Sequence, residues 1–322
     1  MFRVAVSVIS WGRAESALRC VQSLLTEGRR IGDRSELTVW VADNGSAPPD
    51  RTILQSRLEG LPGVTLRRHE DNLGFAAGHN RNVAAILARS SPDFLWLLND
   101  DCVVHAGCLD ALLDCAIGTP EVGVWGATLL EADGRTIQCA GGCSYNSWLS
   151  SYRPLGAGQP VDKRAGMPAP ALGYVAGASL FLPVATVVSG LRPPPKVGMR
   201  ERSQPFELLN ESFFLYFEEI DLALRLRKGL LMGWCREALI THAGGASTGA
   251  GGGQRSALAE FHSTLSALKF TQLHFPKRLW FMMPARFLAK CLQLTLTGNI
   301  RLLGPVVAAY RAFLTWRGVA GR

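Results

Sequence analysis

The chain has 322 residues, of which 48% are hydrophobic and 19% are charged. Because the charged fraction lies below the roughly 25% typical of soluble proteins, the composition excludes a disordered chain. Residues 255–322 contain ten Lys or Arg and one acid, Glu260, and so carry about +9, whereas the first 254 residues are near neutral. This basic, aromatic tail favours an anionic membrane surface or an anionic substrate. Nucleic acid would also suit the charge, but the sequence contains no nucleic-acid-binding motif.

The first 100 residues alternate between strand and helix patterns. Short β-branched or apolar runs predict strands, and apolar residues at helical spacing predict a helix after the first strand and another before the fourth. The predicted strands cover residues 4–10, 37–43, 64–68 and 93–98. This order predicts a mostly parallel sheet with helices on its faces.

The middle of the chain reads as hairpins and loops, followed by further strands and helices. Residues 133–171 are rich in Gly, Pro and Ser, and residues 192–205 have the composition of an exposed loop. We expect strands at 174–182 and at "WCREALITHA", and a helix that stops near Gly229. A Gly-rich segment follows the last strand.

The tail, residues 255–322, contains three helical stretches, at 256–273, 284–296 and 305–316. Aromatic residues there alternate with Lys and Arg, which suits a helix lying in a membrane interface. A helix that packs on its own domain is an equally good interpretation.

The eight cysteines form no CxxC pair and match neither a zinc site nor a disulfide framework. This favours a reduced, cytosolic setting. The apolar start "MFRVAVSVIS" lacks the length and the cleavage site of a signal peptide. No uncharged apolar run reaches the roughly 18 residues that a bilayer span needs.

Polar residues cluster where the predicted strands end, at 7–12, 43–46, 71–72 and 99–101. Ligands of such sheets bind beyond the carboxyl ends of the strands. Asn99, Asp100 and Asp101 supply the oxygen atoms that Mg²⁺ or Mn²⁺ prefers. Taken alone, the same three residues could be a solvated turn.

Two further segments carry candidate chemistry. "EDNLGFAAGHNRN" places Asn72, Gly74, Gly78 and Asn80 before a predicted helix, where backbone N–H groups favour an anion, although a helix-capping loop has the same pattern. "FEEIDLALR" offers carboxylates that could act as a general base. The alternative is that these acids only lie in the first turn of a helix, where the helix dipole stabilises them.

Residues 3–250 contain, in this order, the motifs "VSVIS", "VADNGS", "DNLGFAAGHN", "LWLLNDD", "DGRTIQCAGG", "GASLFL", "FFLYFEEIDLALRLRKG" and "THAGGAS". Taken together, these motifs resemble a family 2 glycosyltransferase of the GT-A fold, in particular its bacterial rhamnosyltransferase-like branch. The resemblance implies a Rossmann-like, mostly parallel sheet flanked by helices over residues 1–254. Its nucleotide-binding half would cover about 1–128 and its acceptor half about 129–254. A C-terminal helical extension would cover 255–322.

The resemblance also implies roles for individual residues. Asp43 would bind the base or ribose of the donor nucleotide, and Asp101 with His242 would hold Mg²⁺ or Mn²⁺. Glu219 is the candidate base, and Glu218 is its alternative. Asp221 belongs to the same acidic motif, but the acid-first spacing to Arg225 suggests an ion pair and a mainly structural role. The remaining residues expected to bind the nucleotide-sugar are Ser10, Asn72, Gly74, Asn80, Asp100 and Gly177.

Four features depart from the family pattern. Asn99 replaces an acid, Glu219 stands for the usual Asp, and Asn82 sits where Gly is common. Residues 191–209 form an insertion just before the proposed base, and we expect it to shape the acceptor site.

The resemblance implies an inverting, metal-dependent transferase. It would move a sugar, such as rhamnose from dTDP-rhamnose, to a cell-surface glycan or a polyprenyl-diphosphate-linked acceptor. The basic tail places it as a peripheral protein at the inner face of the cytoplasmic membrane. A UDP-hexose or UDP-N-acetylhexosamine donor is the first alternative, and a catalytically weakened nucleotide-sugar-binding subunit is the second. The residues favour no particular oligomeric state.

Overall fold

A computed structural model describes residues 1–195, 207–243 and 256–316. Twelve strands form a nine-stranded and a three-stranded sheet, and the larger sheet has the order β3-β2-β1-β4-β11-β6-β12-β5 with β7 beside β6. The strands are β1 (Phe2–Ser10), β2 (Ser35–Asn44), β3 (Val64–His69), β4 (Phe94–Asn99), β5 (Cys102–Val104), β6 (Val122–Leu130), β7 (Ile137–Ala140), β8 (Gly142–Asn146), β9 (Ser151–Pro154), β10 (Tyr174–Val175), β11 (Ser179–Pro183) and β12 (Leu231–His242).

The first four strands of the large sheet pair in parallel, because a helix crosses from each to the next. β11 and β5 pair antiparallel with their neighbours. The predicted mostly parallel sheet flanked by helices is therefore confirmed. The helices are α1 (Ala14–Ile31), α2 (Pro48–Leu58), α3 (Gly74–Arg89), α4 (Cys108–Gly118), α5 (Val184–Ser189), α6 (Glu218–Arg225), α7 (Ala257–His274), α8 (Leu279–Leu296) and α9 (Leu303–Thr315).

The strand patterns explain why the sheet is buried on both faces. In β4, Trp96 and Leu98 enter one apolar cluster, while Leu95 and Leu97 enter the cluster on the opposite face. All four side chains are fully buried. Each buried leucine stabilises the fold by roughly 1.5–3 kcal/mol, so a continuous apolar run is the expected sequence for this central strand.

The expectation that Gly74, Gly78 and Asn80 precede a helix is wrong, because α3 already begins at Gly74. Residues 74–82 of α3 include the buried polar residues His79, Asn80 and Asn82, so hydrophobic periodicity does not reveal this part of the helix. The helix α2 was also not predicted, because its sequence follows a turn-like "NGSAPPD" segment.

The strand expected over residues 174–182 is in fact two strands. β10 belongs to the small sheet and β11 to the large one, so residues 176–178 cross between the sheets. Helix α6 ends at Arg225, earlier than the predicted stop near Gly229. The predicted loop at 192–205 and the Gly-rich segment after β12 fall largely outside the described residues.

The C-terminal helices divide into two groups by their packing. Ala267 and Phe270 of α7 enter the main core next to the sheet. Helices α8 and α9 bury smaller clusters, which contain Met282, Phe313 and Val306, and Leu268 of α7 joins the first of these clusters. No helix among the described residues combines the length and apolarity needed to cross a bilayer.

Candidate active site

The polar ends of the first four parallel strands meet at one edge of the large sheet. Ser10 pairs with Asp43 across β1 and β2, and Ile9 pairs with Asn99 across β1 and β4. Because parallel strands end at the same edge, the residues that follow them face one crevice. The structure thus brings together the predicted residues Ser10, Asp43, Asp100 and Asp101.

Only one of the two carboxylate oxygens of the buried Asp43 accepts a hydrogen bond from the described residues. Ser46 N donates to Oδ1 at 2.9 Å, whereas Oδ2 has no hydrogen-bond partner among the described residues. Leaving a buried acceptor without a donor costs roughly 1–3 kcal/mol. A hydroxyl or amide of a bound nucleotide could supply this donor, which fits the role predicted for Asp43.

Asn72 and Gly74 hold the start of α3 in place. Asn72 Oδ1 accepts from Gly74 N and from Asn44 Nδ2, each at 3.0 Å. Gly74 has φ of +79°, and a Cβ atom there would lie 2.4 Å from Phe214 O. Glycine is required at this position because the segment that leads to α6 touches its backbone.

Asn80 binds the same segment from within α3. Its Nδ2 donates to Leu209 O at 2.7 Å and to Glu211 Oε1 at 3.0 Å, and its Oδ1 accepts from Leu209 N at 2.9 Å. The amide group of Asn80 is therefore engaged in hydrogen bonds that hold residues 209–211 in position. The predicted contact of Asn72, Gly74 and Asn80 with the nucleotide stays a prediction.

A guanidinium group faces the two adjacent carboxylates at the end of β4. Arg13 Nη2 donates to Asp101 Oδ2 at 2.9 Å, and its Nη1 lies 3.6 Å from Asp100 Oδ1. Both aspartates are buried, and Arg13 is about one-third exposed. The cation offsets the repulsion between the two acids, as the charge pattern of the strand end requires.

The surroundings shift the pKa values of Asp100 and Asp101 in opposite directions. Burial raises the pKa of Asp100 to about 6, with Asp101 adding to the effect and Arg13 opposing it. Burial would also raise the pKa of Asp101, but hydrogen bonding and charge from His242 and Arg13 together lower it to about 2. Asp101 is therefore the carboxylate that stays ionised throughout the physiological range.

His242, at the end of β12, faces Asp101 with a defined ring orientation. Its Nδ1 lies 2.6 Å from Gln138 Oε1, and its Nε2 lies 3.1 Å from Asp101 Oδ1. Gln138 Nε2 donates to Glu131 Oε2 at 3.2 Å, which turns the amide oxygen toward the ring. Nδ1 therefore carries the proton that Gln138 accepts, and Nε2 faces the carboxylate.

This arrangement fits a divalent cation between Asp101 and His242. Ligand atoms of Asp101, Cys102 and His242 lie within 4.8 Å of one another. Burial raises the pKa of the Cys102 thiol well above its usual range, so this residue stays a neutral thiol. His242 Nε2 lies 3.1 Å from Asp101 Oδ1 and 3.3 Å from Asn99 Nδ2, so both oxygen and nitrogen atoms face the same point. A carboxylate is a suitable ligand for Mn²⁺ or Mg²⁺, and Mn²⁺ accepts an imidazole as a minority ligand.

Residues 177 and 178 connect the acidic strand end to the proposed base. Ala178 O accepts from Asn99 N at 3.0 Å, immediately before Asp100. A Cβ atom on the adjacent Gly177 would lie 3.5 Å from Glu219 Cδ. The crossing between β10 and β11 therefore contacts both the strand end that carries the paired aspartates and Glu219.

The acid pair at the start of α6 follows two residues with positive φ. Tyr216 has φ of +68° and Phe217 has φ of +76°. Such conformations cost roughly 1–3 kcal/mol each and persist where the surroundings enforce them. The ring of Phe217 is buried, and its centroid lies 5.3 Å from that of Phe270.

Both glutamates of the pair have raised proton affinities. Burial raises the pKa of Glu219 to about 7. Burial and the charge of Glu219 raise the pKa of Glu218 well above its usual range. A carboxylate that titrates near pH 7 is suited to general-base catalysis, which favours Glu219 over Glu218 as the base.

Asp221 lies on the same helix, but its carboxylate is occupied by other side chains. Oδ2 accepts from Arg225 Nε at 2.5 Å, and Oδ1 lies 3.1 Å from Asn210 Nδ2 and 2.8 Å from His274 Nε2. Asp221 and Arg225 are both buried. This network anchors α6 to residues 207–210 and to α7, in line with the mainly structural role that the sequence suggests.

Helix α7 contacts the segment that leads to the acid pair at several further points. Lys269 Nζ donates to Ser212 O at 3.1 Å, and Ser266 Oγ donates to Leu215 O at 2.9 Å. Residues 207–217 thus lie between α3 on one side and α7 on the other. The start of the C-terminal segment is therefore part of the structure that holds the candidate base.

Arg13 and Gln138 are site residues that the sequence did not identify. Arg13 follows the polar end of β1 at Gly12, so its position beside the crevice was a usable signal. Gln138 belongs to the motif "DGRTIQCAGG", but nothing in the motif indicates its contact with His242. The end of β12 is placed opposite Gln138 only by the sheet topology.

Comparison with known proteins shows which family the chain resembles. Residues 5–138 match the model of Glycosyl transferase family 2. Over 237 residues the chain is 26% identical to the N-acetylglucosaminyl-diphospho-decaprenol L-rhamnosyltransferase of two Mycobacterium tuberculosis strains, covering 66% of this chain and 68% of the relative. The predicted relationship to family 2 glycosyltransferases and their rhamnosyltransferase-like branch is confirmed.

Solved structures share the fold at low sequence identity. The crystal structure of residues 1–349 of TarS from S. aureus is 12% identical with a TM-score of 0.50, covering 98% of this chain and 81% of that one. GalNAc-T7, solved with UDP, GalNAc and Mn²⁺, is also 12% identical with a TM-score of 0.50, covering 75% and 44%. The predicted GT-A fold is confirmed.

Proposed function

We propose that this chain, a glycosyltransferase of the family 2 type, transfers a sugar from a nucleotide-diphosphate donor to a lipid-linked glycan with inversion at the anomeric carbon. The observation that carries the proposal is the short crossing at Gly177 and Ala178. It contacts Asn99, next to the paired aspartates, and Glu219, the carboxylate whose pKa lies near 7. An ion site for a diphosphate and a base for a hydroxyl are the two groups that this reaction needs.

Asp101 and His242 would hold Mg²⁺ or Mn²⁺, and the ion supplies positive charge to the leaving diphosphate. Ser10 and Asp43 would bind the nucleotide at the ends of β1 and β2, and Asp100 would bind the donor beside the ion. Once Arg13 leaves the two aspartates, its guanidinium group would be free to bind the diphosphate. Gly177 leaves room beside Glu219 for the sugar.

Glu219 would accept the proton of the acceptor hydroxyl. The hydroxyl oxygen then forms a bond to the anomeric carbon while the bond from that carbon to the diphosphate oxygen breaks. One displacement inverts the anomeric configuration. Glu219 ends protonated, and the nucleoside diphosphate leaves with the electron pair.

The proposed acceptor is a polyprenyl-diphosphate-linked sugar, and the proposed donor is dTDP-rhamnose. The support is the similarity to a relative named N-acetylglucosaminyl-diphospho-decaprenol L-rhamnosyltransferase. An acceptor of this kind is held in a membrane, so the enzyme would work as a peripheral protein at its inner face.

The test is a donor panel measured with and without divalent metal. The full chain is incubated with dTDP-rhamnose, UDP-glucose and UDP-N-acetylglucosamine, and donor hydrolysis and thermal shift are recorded. We expect dTDP-rhamnose with Mn²⁺ or Mg²⁺ to give the largest signals, and EDTA to remove them. A larger response to a UDP-sugar would reassign the donor, and no response to any donor would refute the proposal.

Two variants locate the ion within this test. Asp101→Asn should lose metal-dependent hydrolysis, because a neutral amide is a weaker ligand than a carboxylate. Asp162→Asn makes the same change at an exposed position and should behave like the unmodified chain. Equal hydrolysis by the unmodified chain in EDTA would rule out the metal role.

A further inference from the structure

The charged residues of α8 point into the protein. Arg286 donates through Nη1 to Ser150 O at 2.7 Å and through Nη2 to Ser263 O at 3.4 Å. Lys290 Nζ lies 2.6 Å from Glu260 Oε1 on α7. Both side chains are largely covered, so the polar face of this helix is its inner face.

The outer face of α8 is apolar. Trp280, Leu288, Leu292 and Leu296 are 75%, 68%, 62% and 77% exposed. At 100° per residue these four positions fall within an arc of about 160° of the helix, and Arg286 and Lys290 lie outside this arc. Phe281 continues this face toward the loop between β8 and β9, where its ring centroid lies 6.1 Å from that of the exposed Trp148. We call these six residues the outer apolar face.

The outer apolar face contains only some of the tail's aromatic residues that suggested a membrane interface. Phe270 is fully buried in the main core, and Phe275, Phe287 and Trp316 are partly buried. Most of the aromatic residues that suggested a membrane interface therefore pack inside the protein. The exposed apolar residues are mainly leucines, which sequence periodicity would assign to the core.

The surface of the C-terminal helices is also positively charged. Lys277 and Arg311 are exposed. Among the described residues 256–316 the one acid is Glu260, which is buried and paired with Lys290. No exposed carboxylate of the described C-terminal helices therefore offsets these cations.

We infer that the outer apolar face rests on the surface of an anionic bilayer, with α8 lying in the plane of the interface. Leucines and tryptophan would enter the boundary between headgroups and acyl chains, and the exposed cations would contact anionic headgroups. A symmetric second copy is a worse partner, because an isologous contact would bring the same cations together. The inference deepens the proposed function, since it rests on a membrane-held acceptor and assigns the face that approaches it.

The experiment measures co-sedimentation of the full chain with vesicles. Vesicles of phosphatidylcholine mixed with phosphatidylglycerol are compared with vesicles of phosphatidylcholine alone. The variant Leu288→Gln/Leu292→Gln/Leu296→Gln removes the leucines, and Ile117→Gln/Val188→Gln is the control at exposed apolar positions elsewhere. Thermal unfolding of each variant confirms that the fold is retained.

We expect the unmodified chain and the control to bind the mixed vesicles, and the leucine variant to bind at least about tenfold more weakly. Lys277→Gln/Arg311→Gln should weaken binding to the mixed vesicles at low salt and have little effect in high salt. Equal vesicle binding by the leucine variant would overturn the inference. So would a dimer of the unmodified chain that the leucine variant turns into monomer without any vesicle binding.

A second readout separates this inference from the proposed function. Transfer to a water-soluble acceptor, a sugar diphosphate with a short alkyl chain, should be unchanged in the leucine variant. If the unmodified chain binds vesicles through this face but transfers no sugar to any acceptor, the proposed function fails and the membrane face stands. If transfer to the soluble acceptor occurs and vesicles are not bound, the membrane face fails alone.

Discussion

The amide oxygen of Gln138 on β7 accepts a hydrogen bond from Nδ1 of His242 at 2.6 Å. This bond determines that Nε2 is the ring nitrogen of His242 that faces Asp101. Glu131 holds the opposite end of the Gln138 amide. An imidazole whose far nitrogen is held in this way is oriented for a metal before the metal arrives.

We expect Gln138→Leu to weaken Mn²⁺ binding by about 10- to 100-fold, because the imidazole loses the acceptor that sets its tautomer. Electron paramagnetic resonance of free Mn²⁺ measures this directly and needs no turnover. Gln159→Leu makes the same change at an exposed position on a neighbouring loop and should leave binding unaltered. Unchanged Mn²⁺ affinity in Gln138→Leu would show that the ring orientation does not matter for the site.

Arg13→Gln should have the opposite effect on the metal. The guanidinium occupies Asp101 Oδ2 and competes with any other cation. Removing a positive charge at this separation should tighten Mn²⁺ binding at least about fivefold in the absence of donor. The control is Arg19→Gln on the exposed side of α1. Weaker binding in Arg13→Gln would mean that Arg13 supports the ion site.

Glu219 should control the pH dependence of transfer. A base must be ionised to accept a proton, so kcat/KM should rise with pH and level off above about 7, where Glu219 is deprotonated. Glu219→Gln should lower transfer by about 10²- to 10⁴-fold and keep donor binding. Glu218→Gln is the matched variant at the neighbouring position. If it shows the larger loss of transfer, Glu218 is the base.

The same residue should also change stability with pH. Because burial raises the pKa of Glu219 from 4.5 to about 7, the folded chain holds this proton more tightly than the unfolded chain does. Stability contributed by the protonated group is therefore complete below about pH 4.5 and is lost as the pH rises to about 7. Relative to the unmodified chain, Glu219→Gln should gain about 3 kcal/mol in free energy of unfolding at pH 8 and nothing at pH 4. Urea unfolding of metal-free protein at both pH values measures the difference, and an equal gain at the two would contradict the assignment.

Asp221 should affect stability more than chemistry. Asp221→Ala leaves the buried Arg225 without its partner and should cost about 3–5 kcal/mol in free energy of unfolding. His274→Ala removes one bond to the same carboxylate and should cost about 1–3 kcal/mol. A double-mutant cycle between the two measures their coupling, which should exceed about 0.5 kcal/mol. A loss of transfer by Asp221→Ala without a loss of stability would instead place Asp221 in the reaction.

Local patterns were sufficient to predict the first half of the sheet. The β-branched and apolar runs of β1 and β4 are short, continuous and bounded by polar residues, so length and composition identify them as buried strands. Their polar ends then meet because parallel strands finish at one edge. Asp43, Asp100 and Asp101 are found from this reasoning alone.

The remaining features depend on contacts between distant parts of the chain. The start of α3 is hidden because the helix buries His79 and Asn82 through hydrogen bonds to Ser7 and to Trp40 O. Polar residues satisfied by other elements look like a loop when only one segment is considered. The crossing at Gly177 and the pairing of Gln138 with His242 likewise require the tertiary structure.

The position of α7 in the chain has a consequence for biosynthesis. Residues 207–217 obtain one of their two supporting surfaces from a helix that begins at Ala257, beyond every residue assigned to the proposed reaction. When only the residues of the sheet have left the ribosome, the surroundings of Glu219 are therefore not yet complete. Because α8 follows within five residues, the nascent chain completes the support of the proposed base and the outer apolar face almost together. Such an order of synthesis would make the proposed base and the proposed membrane-binding face available at the same stage.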